Sequence, residues 1–219
     1  MRHAAVLFDL DETLLDRRAS VERYLLGHAR RASLDPDLAV AYRARFWALD
    51  ENGHRARADL FAQLGAEFPM VGSHQDLLAD FIEHGFATCE WIDGAEAVLG
   101  SCRTMGFRTG IITNGPSGMQ RSKLRALGLD DRVDTILVSE EEGVSKPSSE
   151  IFHRAAERLG VRPEQCVFVG DNPLVDVDGA RRAGMLDVWI QREFPWPPDL
   201  AAATHSITAL TTLMDLLSS

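Results

Sequence analysis

Ala4-Ala5-Val6-Leu7-Phe8 runs without interruption into Asp9-Leu10-Asp11-Glu12-Thr13. An apolar run with no alternating polar partner reads as a strand buried on both faces, the kind found in parallel sheets. The acidic residues mark its end. Four further apolar runs follow, at residues 107–112, 135–138, 166–169 and 186–190, each separated from the next by a helical pattern. This βαβ rhythm predicts an α/β fold: a doubly wound, open parallel sheet with helices on both faces.

The helices carry start and stop signals. Asp93-Gly94-Ala95-Glu96 sets an N-cap acid three residues before a glutamate, ahead of apolar Val98, Leu99, Cys102 and Met105. Gly128, Gly160 and Gly184 each follow a helical stretch and precede an apolar residue, as a left-handed C′ glycine does in a Schellman ending. Residues 17–87 break the rhythm. Strand-like runs vanish there, and three helical stripes take over: Val21, Tyr24, Leu25 and His28; Leu38, Tyr42, Phe46 and Leu49; Leu77, Leu78, Phe81 and Ile82. Asp35-Pro36 opens the second as N-cap and first helical residue. The expected organisation is a sheet domain of residues 1–16 and 88–219 interrupted by an all-helical unit of residues 17–87. The Pro-rich residues 194–198 read as a late loop, before a final helix near residues 209–217.

The chain has 219 residues, 45% hydrophobic and 26% charged, with a net charge of −10. A globular chain of that length buries about 70% of its unfolded surface and needs no staples. The excess of acid argues against binding a nucleic-acid polymer or an anionic membrane surface, since both require clustered basic charge. Asp9, Asp11 and Glu12 interrupt what a signal peptide would keep apolar, and no apolar run reaches the length of a membrane span. Cys89, Cys102 and Cys166 are odd in number and widely spaced, which suits reduced thiols and a cytoplasmic location. The basic set is lopsided: lysine occurs only at Lys123 and Lys146.

In open α/β sheets ligands bind beyond the carboxyl ends of the strands. The residues there are Asp9, Asp11 and Thr13; Thr113, Asn114 and Gly115; Lys146; and Gly170, Asp171 and Asp176. On residue types alone they match phosphoryl transfer. Asp9 is able to serve as nucleophile and Asp11 as proton donor and acceptor. Asp171 and Asp176 add hard oxygen ligands for Mg²⁺, Thr113 and Asn114 supply donors, Gly115 lets backbone approach an oxyanion, and Lys146 offers a point charge. Each feature also has a plainer reading. Paired acids cap turns, Thr-Asn-Gly is a common turn, Asp176 suits a first helical turn, and most lysines are solvated.

Taken in order, Asp9-Leu10-Asp11-Glu12-Thr13, Thr113-Asn114-Gly115, Lys146-Pro147, and Gly170-Asp171 with Asp176 and Gly179-Ala180 resemble the four motifs of the haloacid dehalogenase-like superfamily. The likeness spans the chain, and the helical insertion resembles that family's C1-type cap. It implies a Rossmann-like core, Mg²⁺ dependence and an aspartyl-phosphate on Asp9. Carried over by position, Asp9 is nucleophile and metal ligand. Asp11 is general acid/base and gives its backbone carbonyl to the metal. Thr113, Asn114 and Gly115 hold the phosphoryl group, Lys146 neutralises it, Asp171 binds Mg²⁺, and Asp176 supports the metal or positions Lys146. Glu12 stands where many members have Gly, and Asn172 where Ser is frequent.

The carboxylate at Asp11 favours phosphate esters over halides, because a halide leaves without a proton. The absence of lysine between Arg17 and Ala87 disfavours a phosphonatase. The expectation is a phosphatase for a small phosphorylated metabolite, such as a sugar phosphate or, from a likeness to nucleotidases with a similar opening segment, a nucleoside monophosphate. A phosphomutase, or a binding protein on the same fold, is the alternative. Arg55 and Arg57, with His54, form the basic loop cluster of the insertion and are the candidates for contacting the leaving group. A solvated turn is the plainer account of that loop.

Overall fold

Six strands make one parallel sheet: β1 (Ala5–Phe8), β4 (Arg108–Thr113), β5 (Thr135–Val138), β6 (Cys166–Gly170), β7 (Leu186–Ile190) and β8 (His205–Ile207), in the order β5-β4-β1-β6-β7-β8. β2 (Leu15–Asp16) and β3 (Glu90–Trp91) form a separate antiparallel pair on either side of the insertion. The computed structural model describes residues 3–53 and 55–218. It divides into two compact units, Met1–Arg17 with Cys89–Ser219, and Arg18–Thr88.

The alternation of strand side chains sorts the core into two layers. Val6 and Phe8 join Ile111, Val167, Val169 and Val188 against Val98, Leu99 and Cys102 of α5 (Ala95–Thr104) and Leu124 of α6 (Ser117–Ala126). Ala5 and Leu7 face the other way, onto Ile112, Leu137 and Phe168, and onto Ile151, Phe152 and Ala155 of α8 (Ser149–Arg158) and Ala180 of α9 (Asp178–Arg182). Burial on both faces is why these strands carry unbroken apolar runs. The short α7 (Ser139–Glu142) and the closing α10 (Leu213–Leu217) complete the unit.

The three glycines end their helices as the sequence predicts. Gly128, Gly160 and Gly184 have φ of 64°, 67° and 82°, and Leu129, Val161 and Met185 each donate a backbone hydrogen bond to the carbonyl five residues back. α5 starts differently: its N-cap is Gly94, in the left-handed region and with no side-chain cap, so Asp93 lies one residue too early. β2, β3 and β8 were not expected, because two or three residues leave no periodicity to read.

Helices α1 (Arg17–Arg31), α2 (Pro36–Asp50), α3 (Arg57–Glu67) and α4 (His74–His84) build the second unit, with Asp35 capping Leu38 N–H at 2.9 Å. Its core is aromatic, with Tyr24, Tyr42, Phe46, Phe61 and Phe81 all buried. Ile82, expected in the third stripe, is 67% exposed. No helix among the described residues is long and apolar enough to cross a membrane. Cys102 and Cys166 are buried thiols and Cys89 is half-buried.

Phe81 sits 5.0 Å from Tyr24, 5.3 Å from Phe61 and 5.6 Å from Phe86, ring centre to ring centre. Phe81→Ala should cost about 3–5 kcal/mol through the cavity it leaves. Amide exchange should quicken within Arg18–Thr88 while the six sheet strands keep their protection; equal loss in both units would show that the units do not unfold separately.

Candidate active site

The strand order places β1 between β4 and β6, with successive strands added in opposite directions on its two sides, so a crevice opens beyond its carboxyl end. Asp9 is the first residue there, its N–H donating to Val169 O at 2.9 Å. Thr113 ends β4, and Asp171 follows the last residue of β6. Glu12 turns the chain back with φ 58°, in the left-handed region, which explains why glycine suits that position.

Lys146 is 4% exposed, and its ammonium bridges Asp9 Oδ1 at 2.5 Å and Asp176 Oδ1 at 2.7 Å. Its backbone, entering a cis bond to Pro147, is bracketed by one carboxamide: Lys146 N–H donates to Asn114 Oδ1 at 3.0 Å, and Asn114 Nδ2 donates to Lys146 O at 2.8 Å. The Asn114 carboxamide, expected at the phosphoryl group, thus has its oxygen and one of its two Nδ2 hydrogens on the lysine backbone. Gly115 N–H is likewise engaged, donating to Ser139 Oγ at 3.0 Å.

Asp176 approaches because Gly170 has no side chain; a Cβ there would lie 2.5 Å from Asp176 Cβ. Asn172, rather than Asp176, caps the turn that follows β6, accepting from Leu174 and Val175 N–H. Asp176 is thereby left to accept from Lys146 and, at 3.0 Å, from Asn172 N–H.

Asp9, Asp171 and Asp176 are all buried and offer oxygens within 4.8 Å of one another. Burial pushes the Asp9 carboxyl up to about 7 against the pull of Lys146. Burial, then the charges of Asp9 and Asp176, pushes Asp171 up to about 9. Asp171 Oδ2 is buried with no hydrogen-bond partner. An orphaned carboxylate oxygen facing two other acids is what a hard divalent cation fits. These residues suit one.

Asp11 faces away from that cluster. Lys123 Nζ reaches both of its oxygens at 2.8 Å, and Gln120 Nε2 donates to Oδ2 at 3.1 Å. Burial works to raise this carboxyl, but Lys123, Gln120 and Arg17 outweigh it and hold it below the usual range. Gln120 also donates to Thr113 Oγ1. Gln120 and Lys123 are the residues that the sequence reading missed. Their signal was available: an i, i+3 pair on the helix after Thr113, containing one of only two lysines.

In the helical unit, Arg57 pairs with buried Asp50 at 2.6 Å and lies over Phe81 at 5.5 Å, which ties it to its own turn. Arg55 donates to Gln63 Oε1 at 2.8 Å. His54 lies outside the described residues.

The family model for haloacid dehalogenase-like hydrolases matches residues 3–184. The chain belongs to this family. It is 36% identical over 196 residues to glyceraldehyde 3-phosphate phosphatase of Methanopyrus kandleri, covering 86% of this chain and 84% of that one. It is 29% identical over 222 residues to the protein of the same name from Pyrococcus furiosus, covering 99% and 92%. Among solved structures, the HAD-hydrolase YfnB of Bacillus subtilis, bound to magnesium, is similar over the whole of both chains, with a TM-score of 0.79 and 27% identity.

The buried acids dictate a pH signature for this hydrolase. A carboxyl whose folded value lies above its unfolded one of about 3.9 binds protons more tightly when folded, so stability falls as pH rises through that window. With Asp9 at about 7 and Asp171 at about 9, the protein in chelator should lose stability from about pH 5 to about pH 9. A divalent cation takes the place of the protons, so it should raise Tm more at about pH 8 than at about pH 5. Thermal unfolding with and without chelator checks this; a Tm indifferent to the cation at the higher pH would rule the site out.

Proposed function

We propose that this phosphate-monoester hydrolase releases inorganic phosphate from a small soluble metabolite through an aspartyl-phosphate on Asp9. The observation that carries the reading is the buried arrangement of Asp9 on Lys146 beside Asp171 and Asp176, with Asp11 set apart on its own lysine. One carboxylate is supported as nucleophile and the other as proton carrier, by different surroundings.

In the first half, an Asp9 oxygen attacks phosphorus as the bond to the ester oxygen breaks, and Asp11 gives its proton to the departing alkoxide. A phosphate dianion entering beside Asp11 offsets the pull of Lys123 and raises the proton affinity of that carboxyl. In the second half, Asp11 takes a proton from water, whose oxygen bonds to phosphorus as the Asp9 oxygen leaves. Thr113 donates to the phosphoryl oxygens, while Lys146 balances their charge. Asn114 has its backbone N–H and the second hydrogen of Nδ2 to offer. The carboxylates of Asp9, Asp171 and Asp176, with Asp11 O, would hold Mg²⁺. When bound it supplies charge neutralisation between nucleophile and substrate. If all four acids are ionised, the two lysines leave a charge of two to balance, which favours a divalent ion.

Residues 17–87 are assigned the part of a C1-type cap that selects the leaving group, with Arg55 as its candidate contact and Arg57 bracing the loop. The names of the relatives support a phosphorylated three-carbon compound, to be tested beside the sugar phosphates and nucleoside monophosphates that the sequence suggests.

The test is phosphate release from a panel of glyceraldehyde 3-phosphate, sugar phosphates, nucleoside monophosphates and an aryl phosphate, with Mg²⁺ or chelator. Release should require the metal and fall below detection in Asp9→Asn. Undiminished turnover by that variant would overturn the mechanism. Conversion of one sugar-phosphate isomer to another without phosphate release would make the enzyme a mutase.

A further inference from the structure

Gln120 and Lys123 lie outside the residues assigned so far, yet they are 1% and 4% exposed and sit between Asp11 and Thr113. A buried carboxamide has two ends of similar shape, and its neighbours decide which end points where. Here the decision is forced. The Lys123 ammonium has three hydrogens and no acceptor, and it meets Asp11 Oδ1 and Oδ2 at 2.8 Å and Gln120 Oε1 at 2.7 Å. Turning the amide over would set an NH₂ group against the ammonium and an oxygen against the Asp11 carboxylate, which now accepts from Nε2 at 3.1 Å. Two attractions would become two repulsions.

With the amide so fixed, its Nε2 end donates to Thr113 Oγ1. The Thr113 hydroxyl is then an acceptor toward Gln120, and its single proton must point elsewhere. Gly115 leaves room for this contact, since a Cβ there would come within 3.2 Å of Gln120 Cδ. We propose that Gln120 is a positioning residue, oriented by Lys123, which turns the Thr113 hydroxyl into a fixed donor for the phosphoryl group. The proposal rests on the phosphatase reading above and goes beyond it by naming what aims the donor.

A double-mutant cycle tests it, read as kcat/KM for phosphate release from the best ester of the panel. Thr113→Val removes the donor and should lower kcat/KM about 10²-fold, the effect of losing one oxyanion contact. Gln120→Glu keeps the size but replaces the donating end with a second acceptor, which captures the Thr113 proton, so it should fall by a similar factor of about 10². The double variant should be no slower than the slower single one, because both changes remove the same interaction. Gln120→Met, which removes the amide without adding charge, should fall less and likewise add nothing to Thr113→Val. A fold-change in either double variant equal to the product of its two singles would overturn the proposal while leaving the phosphatase intact. A wild type that releases phosphate from no ester would overturn the phosphatase reading itself, and this inference with it.

Discussion

The rest of the site depends on the pairing of a compact ammonium with carboxylates that have been taken out of water. Asp9 and Asp176 are both buried, and each alone would be costly to ionise; Lys146 between them makes the charge tolerable, and they in turn hold the lysine protonated against its own burial. Removing one member would leave the others uncompensated, so the trio is maintained as a unit. Its geometry reaches back into the fold. Asn114 fixes the Lys146 backbone from the end of β4, and Gly170 lets Asp176 close in from the end of β6.

Both lysines of the chain are used in this way, while all its remaining fixed cations are arginines. Physical chemistry supplies a reason for the division. An ammonium is a point charge with three donors on a slender stem, and it fits a buried pocket of three acceptors such as Asp11 Oδ1, Asp11 Oδ2 and Gln120 Oε1. A guanidinium is broad and planar; Arg45 with Glu67 and Arg121 with Glu141 pair nearer the surface, while Arg57 and Arg181 reach buried Asp50 and Asp187 with side chains that stay partly exposed. The two lysines also separate the roles of two acids only two positions apart in sequence. Asp9 keeps a raised proton affinity because burial, with the charge of Asp176, outweighs the pull of Lys146, whereas Asp11 is held low against its burial by Lys123.

What was legible in the sequence follows from range. Apolar runs, glycine helix endings and the Asp35-Pro36 start are written within a few neighbouring residues, and the structure bears them out. The side-chain partners that build the site are not local. Lys123 meets Asp11 across 112 positions and Lys146 meets Asp9 across 137, so no window of sequence contains either pair. For the same reason, the Asn114 side chain read as a phosphoryl donor, when its partner is backbone 32 positions away. Arg57 read as a free loop cation, although Asp50 is close in sequence; the helix that ends at Asp50 and the left-handed turn at Glu51 and Asn52 bring them together.

These long-range pairs also explain why the chemistry of the site says more about the phosphoryl group than about what it is attached to. Lys146, Asn114, Lys123 and Gln120 spend most of their hydrogen-bonding capacity on one another, on Thr113 and on the acids. Such a network is stiff, because each group makes at least two hydrogen bonds within it, and stiffness is what preorganised donors require. It has little capacity left to recognise a variable leaving group. On the proposed reading, discrimination among esters falls to residues that the network does not consume. The Arg18–Thr88 unit has an aromatic core of its own and ion pairs such as Arg31 with Asp80 and Arg57 with Asp50, so the residues that hold it together are not those that hold Asp9.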